Sequence, residues 1–196
     1  PLSPINTYGR TKLIIEEILK SICNIDPEWR AIIFRYFNPI GAHESGLIGD
    51  NPINCPNNLL PFICQVAIGK RKKLFVFGDD YPTSDGTGKR DYIHVDDLAN
   101  AHALSINYFE KTNNSFSVFN LGTGKSFSVL EVIKAFEEAT SIKIPYQIVK
   151  RRDGDVCESL ADPSKAKLEL GWEAKFDLKR MCIDSWRWQS INPKGI

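Results

Sequence analysis

The sequence predicts an α/β fold in which strands and helices alternate along the chain. Short runs rich in β-branched and aromatic residues, bounded by Gly, Pro and Asn, indicate the strands. Between these runs lie longer stretches in which apolar residues recur at helical spacing. The chain has 196 residues, which is enough for one domain, or for one domain and part of another.

The first predicted helix begins near Tyr8, after a Pro- and Asn-containing loop at residues 1–7, and ends at Asp26-Pro27. Its apolar positions form a broad stripe made of Leu13, Ile14, Ile15, Ile18, Leu19 and Ile22. A helix that is apolar over so much of its surface lies either deep in a core or between two subunits. The sequence leaves both alternatives open.

Residues 30–37 are predicted to form the first strand, and its nearly continuous apolar centre is typical of a parallel sheet covered on both faces. Asn38-Pro39 is predicted to end this strand and to begin a long loop over residues 39–57. Asn58 is a candidate N-cap for a helix that reaches about Ile68. The basic turn that follows, Gly69–Lys73, is interpreted as a solvated helix end.

The remaining elements continue the alternation of strands and helices. Strands are predicted at Leu74–Phe77, Asp91–Val95, Ser117–Leu121 and Ile144–Val149. Helices are predicted from Asp97 to about Phe109, from a cap at Ser126 or Ser128 to about Ala139, and at about 163–170 and 178–190. A polar loop at 78–89 and a charged loop at 150–155 connect some of these elements.

Composition narrows the classes of partner. The net charge of +1 gives no argument for nucleic acid or for an acidic membrane surface. The five cysteines are scattered and form no C-x-x-C pair, so neither a zinc site nor a disulfide framework is indicated. Free thiols favour a reducing compartment such as the cytoplasm. The three histidines do not cluster with acidic residues at metal-ligand spacing, and no metal is predicted.

The turn Gly122-Thr123-Gly124-Lys125 stands after a predicted strand and before a predicted helix, which is the setting of a phosphate-binding loop. It lacks the Walker spacing, and Phe127 stands where a third glycine of G-x-G-x-x-G would be. The turn is therefore interpreted as a strand-to-helix connection. If a dinucleotide binds, its phosphate loop is expected upstream of Pro1.

Tyr8 and Lys12 stand four residues apart, which puts both side chains on one face of a helix. A nearby ammonium stabilises a phenolate, and such a tyrosine can act as a general acid or base. The same spacing also occurs by chance in many helices, as an aromatic residue beside a solvated lysine. This pair alone does not decide between the two interpretations.

Several loops carry groups that suit a phosphorylated ligand. Arg90 and Arg152 present planar guanidinium groups that match phosphate oxygens, whereas Arg151 is interpreted as a solvated surface residue. Asn57 and Asn58, at a predicted helix start, would direct amide groups and free backbone N–H groups at an anion. The two phenylalanines of the strand 74–77 could line a cleft or belong to the core.

Several stretches along the chain carry a family pattern. They are Tyr8-Gly9-Arg10-Thr11-Lys12, Arg35–His43, Pro56–Pro61, Phe77–Thr83 with Asp85–Val95, Arg151-Arg152-Asp153-Gly154-Asp155, and Trp186-Arg187-Trp188-Gln189. Together they resemble the extended short-chain dehydrogenase/reductases, and within them the UDP-glucose 4-epimerase (UDP-galactose 4-epimerase) family. The similarity covers the whole chain, and its most specific part is the long central motif.

The resemblance implies a role for each matching residue. Tyr8 is expected to be the catalytic acid and base, with Lys12 stabilising its phenolate and holding the nicotinamide ribose of NAD. Tyr36 and Phe37 are expected beside the nicotinamide. The residues expected to bind the UDP-sugar are Asn38, Asn57, Asn58, Leu59, Phe75, Val76, Phe77, Arg90, Arg152, Asp155 and Ser159. The small side chain of Ser159 resembles members that also accept N-acetylated sugars.

The resemblance also implies an architecture: the C-terminal part of a Rossmann-type doubly wound domain together with a smaller α/β substrate-binding domain. Residues 1–40 would end the NAD-binding domain, and 41–196 would mainly form the UDP-sugar domain, with about 91–121 returning to the first. The chain is expected to be a fragment that is inactive alone and comes from a homodimer. A related nucleotide-sugar epimerase or dehydratase, or a non-catalytic UDP-sugar-binding module, remains an alternative.

Overall fold

The computed structural model describes residues 2–195, so Pro1 of the predicted leading loop lies outside the described residues. Its helices are α1 (Thr7–Ile25), α2 (Leu59–Ala67), α3 (Val95–Lys111), α4 (Val129–Thr140) and α5 (Leu178–Ile191), with a π-helix at Ala166–Leu170. Its strands are β1 (Ala31–Tyr36), β2 (Asn38–Ile40), β3 (Leu74–Phe77), β4 (Lys89–His94), β5 (Phe116–Leu121), β6 (Ser126–Ser128), β7 (Tyr146–Val149) and β8 (Glu158–Ser159). The predicted α/β class is confirmed.

β1 and β5 form a parallel pair with α1 against it, as the apolar centre of β1 predicted. The register runs from Ala31 beside Phe116 to Tyr36 beside Leu121. A bidentate ion pair joins α1 to β1. Arg35 donates from Nε and Nη2 to the two carboxylate oxygens of Glu16, at 2.8 and 2.6 Å.

β4 is the strand on which the second sheet is built. It pairs with β2 and β8 in parallel and with β6 in antiparallel orientation. β1 ends before Asn38-Pro39, as predicted, but the prediction that a long loop begins there was wrong, because these residues begin β2. The turn Gly122–Lys125 joins two strands, β5 and β6, and α4 begins only after β6. β2, β6 and β8 are so short that their pairing partners, and not their local sequence, stabilise them as strands.

The buried apolar residues form two clusters. The larger cluster packs α2, α4 and α5 against β3, with members such as Leu60, Ile63, Val76 and Phe136. The smaller cluster lies between the β1–β5 pair, α3 and the π-helix. Its members are Ile93, Ala101, Tyr108, Phe119, Leu121, Ala166, Leu170 and Trp172. β4 contributes to both clusters through Tyr92 and Ile93, whose side chains point to opposite faces of the strand.

The helix ends show which predicted caps form. Ser128, and not Ser126, caps α4 in a capping box: its hydroxyl accepts from Glu131 N–H while the Glu131 carboxylate accepts from Ser128 N–H. Asn58 occupies the N-cap position of α2 as predicted, but its side chain makes no cap hydrogen bond. Within residues 2–195, no helix is both long and apolar enough to cross a membrane.

The broad apolar stripe of α1 is not covered by this chain. Ile14, Ile15 and Ile18 are 47, 49 and 53% exposed, and Cys23 is the buried residue of the helix. Of the two alternatives for this helix, a place deep in the core of this chain is therefore wrong.

Candidate functional site

A cavity of about 510 Å³ lies between the start of α2, the face of β3, the end of β4 that carries Arg90, and the loop after β7. Its lining brings together residues that are far apart in the sequence. Ten of the eleven residues predicted to bind a UDP-sugar line it: Asn38, Asn57, Asn58, Leu59, Phe75, Val76, Phe77, Arg90, Arg152 and Asp155. Phe37, predicted beside the nicotinamide, lines it as well, whereas Ser159 does not.

One face of β4 contributes two side chains, those of Arg90 and Tyr92, to the lining of this cavity. Arg90 and Tyr92 lie on the same face, because side chains alternate along a strand. Ser159 of β8 is the register partner of Arg90, and Asn38 of β2 is the register partner of Tyr92. Two of the unpredicted short strands therefore carry Asn38 and Ser159 to neighbouring positions on this face.

The two cavity arginines that the sequence predicted are held by neighbouring groups. Arg90 donates from Nη1 to the carbonyl oxygens of Lys89 and Val156, at 2.8 and 2.9 Å, and its Nη2 lies 3.5 Å from a carboxylate oxygen of Asp155. The Arg152 guanidinium stacks over Phe77, with Cζ 3.8 Å from the ring centroid. Both guanidinium groups are thus oriented at the cavity wall, where they suit a diphosphate.

Arg151, which the sequence left as a solvated residue, does not line the cavity. It pairs with the carboxylate of Asp80 at 2.5 Å, and its Cζ lies 3.9 Å from the ring centroid of Tyr81. Although the two residues are adjacent in sequence, Arg151 is engaged by the loop after β3 and Arg152 faces the cavity.

Strand β3 separates its three predicted contacts into two groups. Phe75 is 41% exposed and shares the cavity face with Phe77, whereas the side chain of Val76 is 1% exposed and belongs to the core cluster. Val76 can therefore contact a ligand mainly through its backbone. The sequence left open whether the two phenylalanines belong to a cleft or to the core, and the strand's pleat resolves this in favour of the cleft.

Sequence analysis missed several lining residues. Tyr92 is 4% exposed, and burial raises the pKa of its hydroxyl despite the nearby Arg90, so it stays a neutral hydrogen-bonding group. Period-2 alternation from Arg90 could have found it. Arg71 also lines the cavity and is half-buried, although its basic turn was interpreted as solvated. Its signal is weaker, since one arginine among three lysines is all that marks it.

Tyr8 and Lys12 lie outside this cavity, on the exposed surface of α1. Tyr8 is 72% exposed, and the Lys12 Nζ lies 5.2 Å from its ring centroid. The helical geometry predicted for the pair is present. Their predicted catalytic roles remain predictions.

Tyr36 lies at the end of β1, directly before Phe37, and is 46% exposed. Its hydroxyl is 2.7 Å from His102 Nε2, while His102 Nδ1 is 2.9 Å from the carbonyl oxygen of Leu98. A carbonyl oxygen only accepts, so Nδ1 carries the proton. In the neutral imidazole Nε2 then accepts from the Tyr36 hydroxyl, which fixes the ring of Tyr36 against α3.

The glycine turn after β5 is occupied by protein groups. The buried carboxylate of Asp91 accepts from the backbone N–H groups of Thr123 and Gly124, at 2.8 and 2.9 Å, and from that of Ala161 at 3.2 Å. These donors are the ones that a phosphate would need. The turn is therefore structural, as the sequence indicated, but it connects two strands and not a strand and a helix.

Metal-ligating side chains and cysteine thiols are the other groups that could form a chemical centre. Among residues 2–195, no group of three or more His, Cys, Asp and Glu side chains is arranged to hold a metal ion. The cysteines are free thiols. Burial raises the pKa of Cys64 and, to about 12, that of Cys182, which keeps both thiols protonated and unreactive.

A family model described as GDP-mannose 4,6 dehydratase matches residues 1–185. The chain belongs to this family. Within the GDP-mannose 4,6 dehydratase family, the chain is similar over its whole length to proteins named UDP-glucose 4-epimerase. It is 55% identical to the one from Dictyostelium discoideum and 54% identical to the one from Bacillus subtilis, each alignment covering 100% of this chain. The chain spans 57% of the length of these relatives.

Solved structures of members of the family have the same fold. A UDP-glucose 4-epimerase from Stenotrophomonas maltophila, solved with NAD and formylated UDP-arabinopyranose, matches with a TM-score of 0.92 and 49% identity, over 96% of this chain and 56% of that one. A UDP-glucose 4-epimerase from Bifidobacterium longum, solved with NAD+ and UDP, matches with a TM-score of 0.93 and 50% identity, over 97% of this chain and 56% of that one.

Proposed function

We propose that this chain forms the UDP-sugar-binding part of a UDP-glucose 4-epimerase, which interconverts UDP-galactose and UDP-glucose in galactose metabolism. One observation carries the proposal: a single cavity collects ten residues that the resemblance assigned to the UDP-sugar, from five separate stretches of the chain. The chemistry of the wall supports it. Two oriented guanidinium groups suit a diphosphate, and exposed phenylalanine rings beside them suit a base.

The residues present also fit NAD. Tyr8, Lys12 and Tyr36 are exposed on α1 and at the carboxyl end of β1, and cofactors bind at the carboxyl ends of parallel strands in such sheets. Phe37 follows Tyr36 and lines the UDP-sugar cavity, so cofactor and sugar would meet at this point of the chain. Bound NAD would supply the hydride acceptor for sugar C4.

The residues of this chain divide the remaining work. Tyr8, as a phenolate stabilised by the Lys12 ammonium, accepts the proton of the sugar 4-hydroxyl and later returns it. Arg90, Arg152 and Asp155 hold the UDP portion. Fewer groups, such as Asn38, face the sugar, which leaves it free to turn so that its opposite face is reduced. Firm binding of the non-reacting part is what such a turn requires.

The architecture fits the same proposal. The smaller apolar cluster, around β1 and β5, would belong to the NAD-binding domain, and the larger cluster around α2 would belong to the UDP-sugar domain. The exposed stripe of α1 supports a homodimer in the whole protein. Sedimentation of the whole protein tests this, and a monomer carrying Ile14, Ile15 and Ile18 exposed would contradict it. The free cysteines favour a cytoplasmic location, which localisation of the tagged protein would test.

Calorimetric titration with UDP tests the site. We expect binding to this chain, and Arg90→Gln is expected to weaken it by roughly 10- to 100-fold, because a charge-assisted bond to the diphosphate is lost. Lys134→Gln is the matched control: Lys134 is a cation on α4 outside the cavity, with a side chain 76% exposed. Equal affinities for the two variants would contradict the proposed site.

Turnover tests the chemistry. This chain with NAD and UDP-galactose is expected to show no epimerisation, because Tyr8 is open to solvent and lies outside the lining of the UDP-sugar cavity. In the whole protein, Tyr8→Phe is expected to lower turnover by roughly 100-fold or more while UDP still binds. Turnover that survives this change would exclude Tyr8 as the acid and base.

Ser159 carries the prediction for N-acetylated substrates. It lies beside Arg90 in the register of β4, adjacent to the cavity but outside its lining, and its side chain is small. We expect the whole protein also to convert UDP-N-acetylgalactosamine. Conversion of UDP-galactose without conversion of this substrate would contradict the prediction.

A 4,6-dehydratase is the second candidate, since the family model carries that description. Dehydration needs an acid to protonate the leaving hydroxyl, and Thr7 stands beside Tyr8 where a dehydratase would be expected to carry an acidic residue. Product analysis separates the two reactions, because a dehydratase releases a 4-keto-6-deoxy sugar. UDP binding by the whole protein without any turnover would instead favour a non-catalytic module.

A further inference from the structure

Arg71 is a third arginine at the UDP-sugar cavity, and it is fixed in place. Its Nε donates to the Gln65 side-chain oxygen at 2.6 Å, and its backbone N–H donates to the Gln65 carbonyl oxygen at 3.1 Å. The guanidinium also covers Phe62, with Cζ 4.7 Å from the ring centroid. Gln65 is 4% exposed, so the group that orients Arg71 is itself immobilised by burial.

The two terminal nitrogens of Arg71 remain available. Among residues 2–195, the recorded partners of this guanidinium are Gln65 and Phe62, and neither occupies Nη1 or Nη2. Arg71 lines the cavity and is half-buried, whereas Lys70, Lys72 and Lys73 of the same turn are exposed. An oriented donor pair at a cavity wall is the arrangement that recognises an oxygen acceptor.

Arg71 and Arg152 belong to opposite ends of strand β3. Arg71 stands three residues before Leu74, the first residue of β3, whereas Arg152 covers Phe77, its last residue. Leu74 to Phe77 spans roughly 10 Å at the rise of a strand. Arg90 belongs to the Phe77 end, because it pairs with Asp155 from the Arg152 loop.

This order fixes the direction of a bound nucleotide, on the proposed function. With the diphosphate at Arg90 and Arg152 and the ribose at Asp155, the base extends along Phe77 and Phe75 towards Leu74. The ribose is attached at N1 of a pyrimidine, and O2 lies next to N1. O4 lies on the far edge of the ring, so O4 is the atom that approaches Arg71.

We propose that Arg71 is a specificity-determining residue that reads the 4-position of the base and selects a 4-oxo pyrimidine over a 4-amino pyrimidine. Uracil presents a carbonyl oxygen there, which accepts from the Nη groups of Arg71. Cytosine presents an amino group, which donates and cannot pair with a second donor. A site built around a hydrogen bond rejects the analogue that leaves its polar groups unpaired. The inference rests on the proposed UDP-sugar site.

The test is calorimetric titration of this chain with UDP, UMP and CDP. We expect the unsubstituted chain to bind UDP at least about tenfold more tightly than CDP. Arg71→Gln is expected to weaken UDP and UMP by the same factor, about tenfold, and to leave CDP within about twofold. Lys72→Gln, an exposed neighbour in the same turn, is the matched control and is expected to change none of the three.

The outcomes are distinct. An equal loss for UDP and CDP in Arg71→Gln would overturn the inference, as would a loss for UDP without a loss for UMP, which would assign Arg71 to the phosphates. Arg71→Lys guards against misfolding, because it keeps the charge and the aliphatic stem. It is expected to bind CDP normally and to lose most of the preference for UDP, and retention of the full preference would also overturn the inference. If the unsubstituted chain binds neither nucleotide, the proposed function fails and this inference falls with it.

Discussion

Helices α1 and α2 are both rich in apolar residues, but the chain covers them to different extents. Five of the nine residues of α2 are buried, namely Leu60, Ile63, Cys64, Gln65 and Val66, whereas Cys23 is the buried residue among the nineteen of α1. An apolar stripe indicates that a helix face packs against another surface. It does not indicate which part of the protein forms that surface. The apolar face of α2 packs against α4, α5 and β3 of the same chain.

The same difference separates the two parts of the candidate site. The cavity is built on elements that pack around the larger cluster, so its arginines and phenylalanines are already oriented. Tyr8 and Lys12 stand on the uncovered helix. This chain thus holds a formed candidate cavity and an exposed Tyr8–Lys12 pair, and three substitutions test how far the two parts differ.

The largest effect is expected at Asp184, a fully buried carboxylate that joins α5 to β4. It accepts from Arg180 Nε at 2.5 Å and from Arg187 Nη1, and it lies 3.3 Å from His94 Nε2. Asp184→Asn removes the buried negative charge that faces both arginines. We expect the free energy of unfolding to fall by about 2–4 kcal/mol, less than for a wholly buried pair because both arginines are 36–37% exposed.

Urea unfolding measures this loss. The matched control is Glu44→Gln, because Glu44 pairs with the same Arg180 but has a side chain 69% exposed. It is expected to change the free energy of unfolding by no more than about 0.5 kcal/mol. Similar values for the two variants would show that the packed part of the chain does not depend on the buried carboxylate.

A smaller effect is expected where α1 meets β1. Glu16→Gln removes the charge that receives both nitrogens of Arg35, whose side chain is 31% exposed. We expect a loss of about 1 kcal/mol, seen mainly as faster amide hydrogen exchange in α1 while α2 keeps its protection. Glu17→Gln, on the exposed face of the same helix, serves as the control. Equal loss of protection in α1 and α2 would contradict the separation of the two parts.

The smallest effect is a pH dependence at Asp85, in the loop that leads into β4. Burial opposes its charge, but hydrogen bonds from the hydroxyl of Ser128 and from the N–H and hydroxyl of Thr87 outweigh this and lower the pKa of Asp85. A lowered folded-state pKa contributes stability above the ordinary aspartate range, which is lost as the pH falls through the folded-state value.

Asp85→Asn should therefore lower stability at pH 7 by less than about 1 kcal/mol and flatten the decline of stability in acid. Urea unfolding at neutral pH and in the acid range measures both. Asp153→Asn, in the exposed loop after β7, is the control. It is expected to show the same decline of stability in acid as the unsubstituted chain. If the stability of Asp85→Asn declined in acid as steeply as that of the unsubstituted chain, the contribution assigned to ionised Asp85 would be contradicted.

Much of the fold could be predicted because long elements carry their own signal. The helix that contains Leu60 and Ile63 and the strand Leu74–Phe77 both lie where apolar periodicity placed them. β2, β6 and β8 could not be predicted, because two or three residues contain no period. The pairing of β2 with β4 decides that Asn38-Pro39 is a strand and not a loop.

The residues of the candidate site could likewise be predicted only where a local sequence motif marks them. Motif resemblance pointed to Arg90, Arg152 and Asp155, which the structure brings together. The local signal at Arg71, one arginine among three lysines, is weak, since its contact with the cavity depends on the chain reversal between α2 and β3. Tyr92 was hidden for a different reason: as a buried aromatic it looks like a core residue until its neighbour Arg90 fixes the face of the strand.

The sequence by itself determined the α/β class, the long elements and the chemical identity of the groups that suit a UDP-sugar, because these depend on periodicity and residue type. The tertiary structure alone decided which groups meet. It carried Asn38 and Ser159 to one face of β4, turned Arg152 but not Arg151 to the cavity, and oriented Arg71 through Gln65. These contacts join residues distant in sequence, so only the packing of the whole chain can specify them.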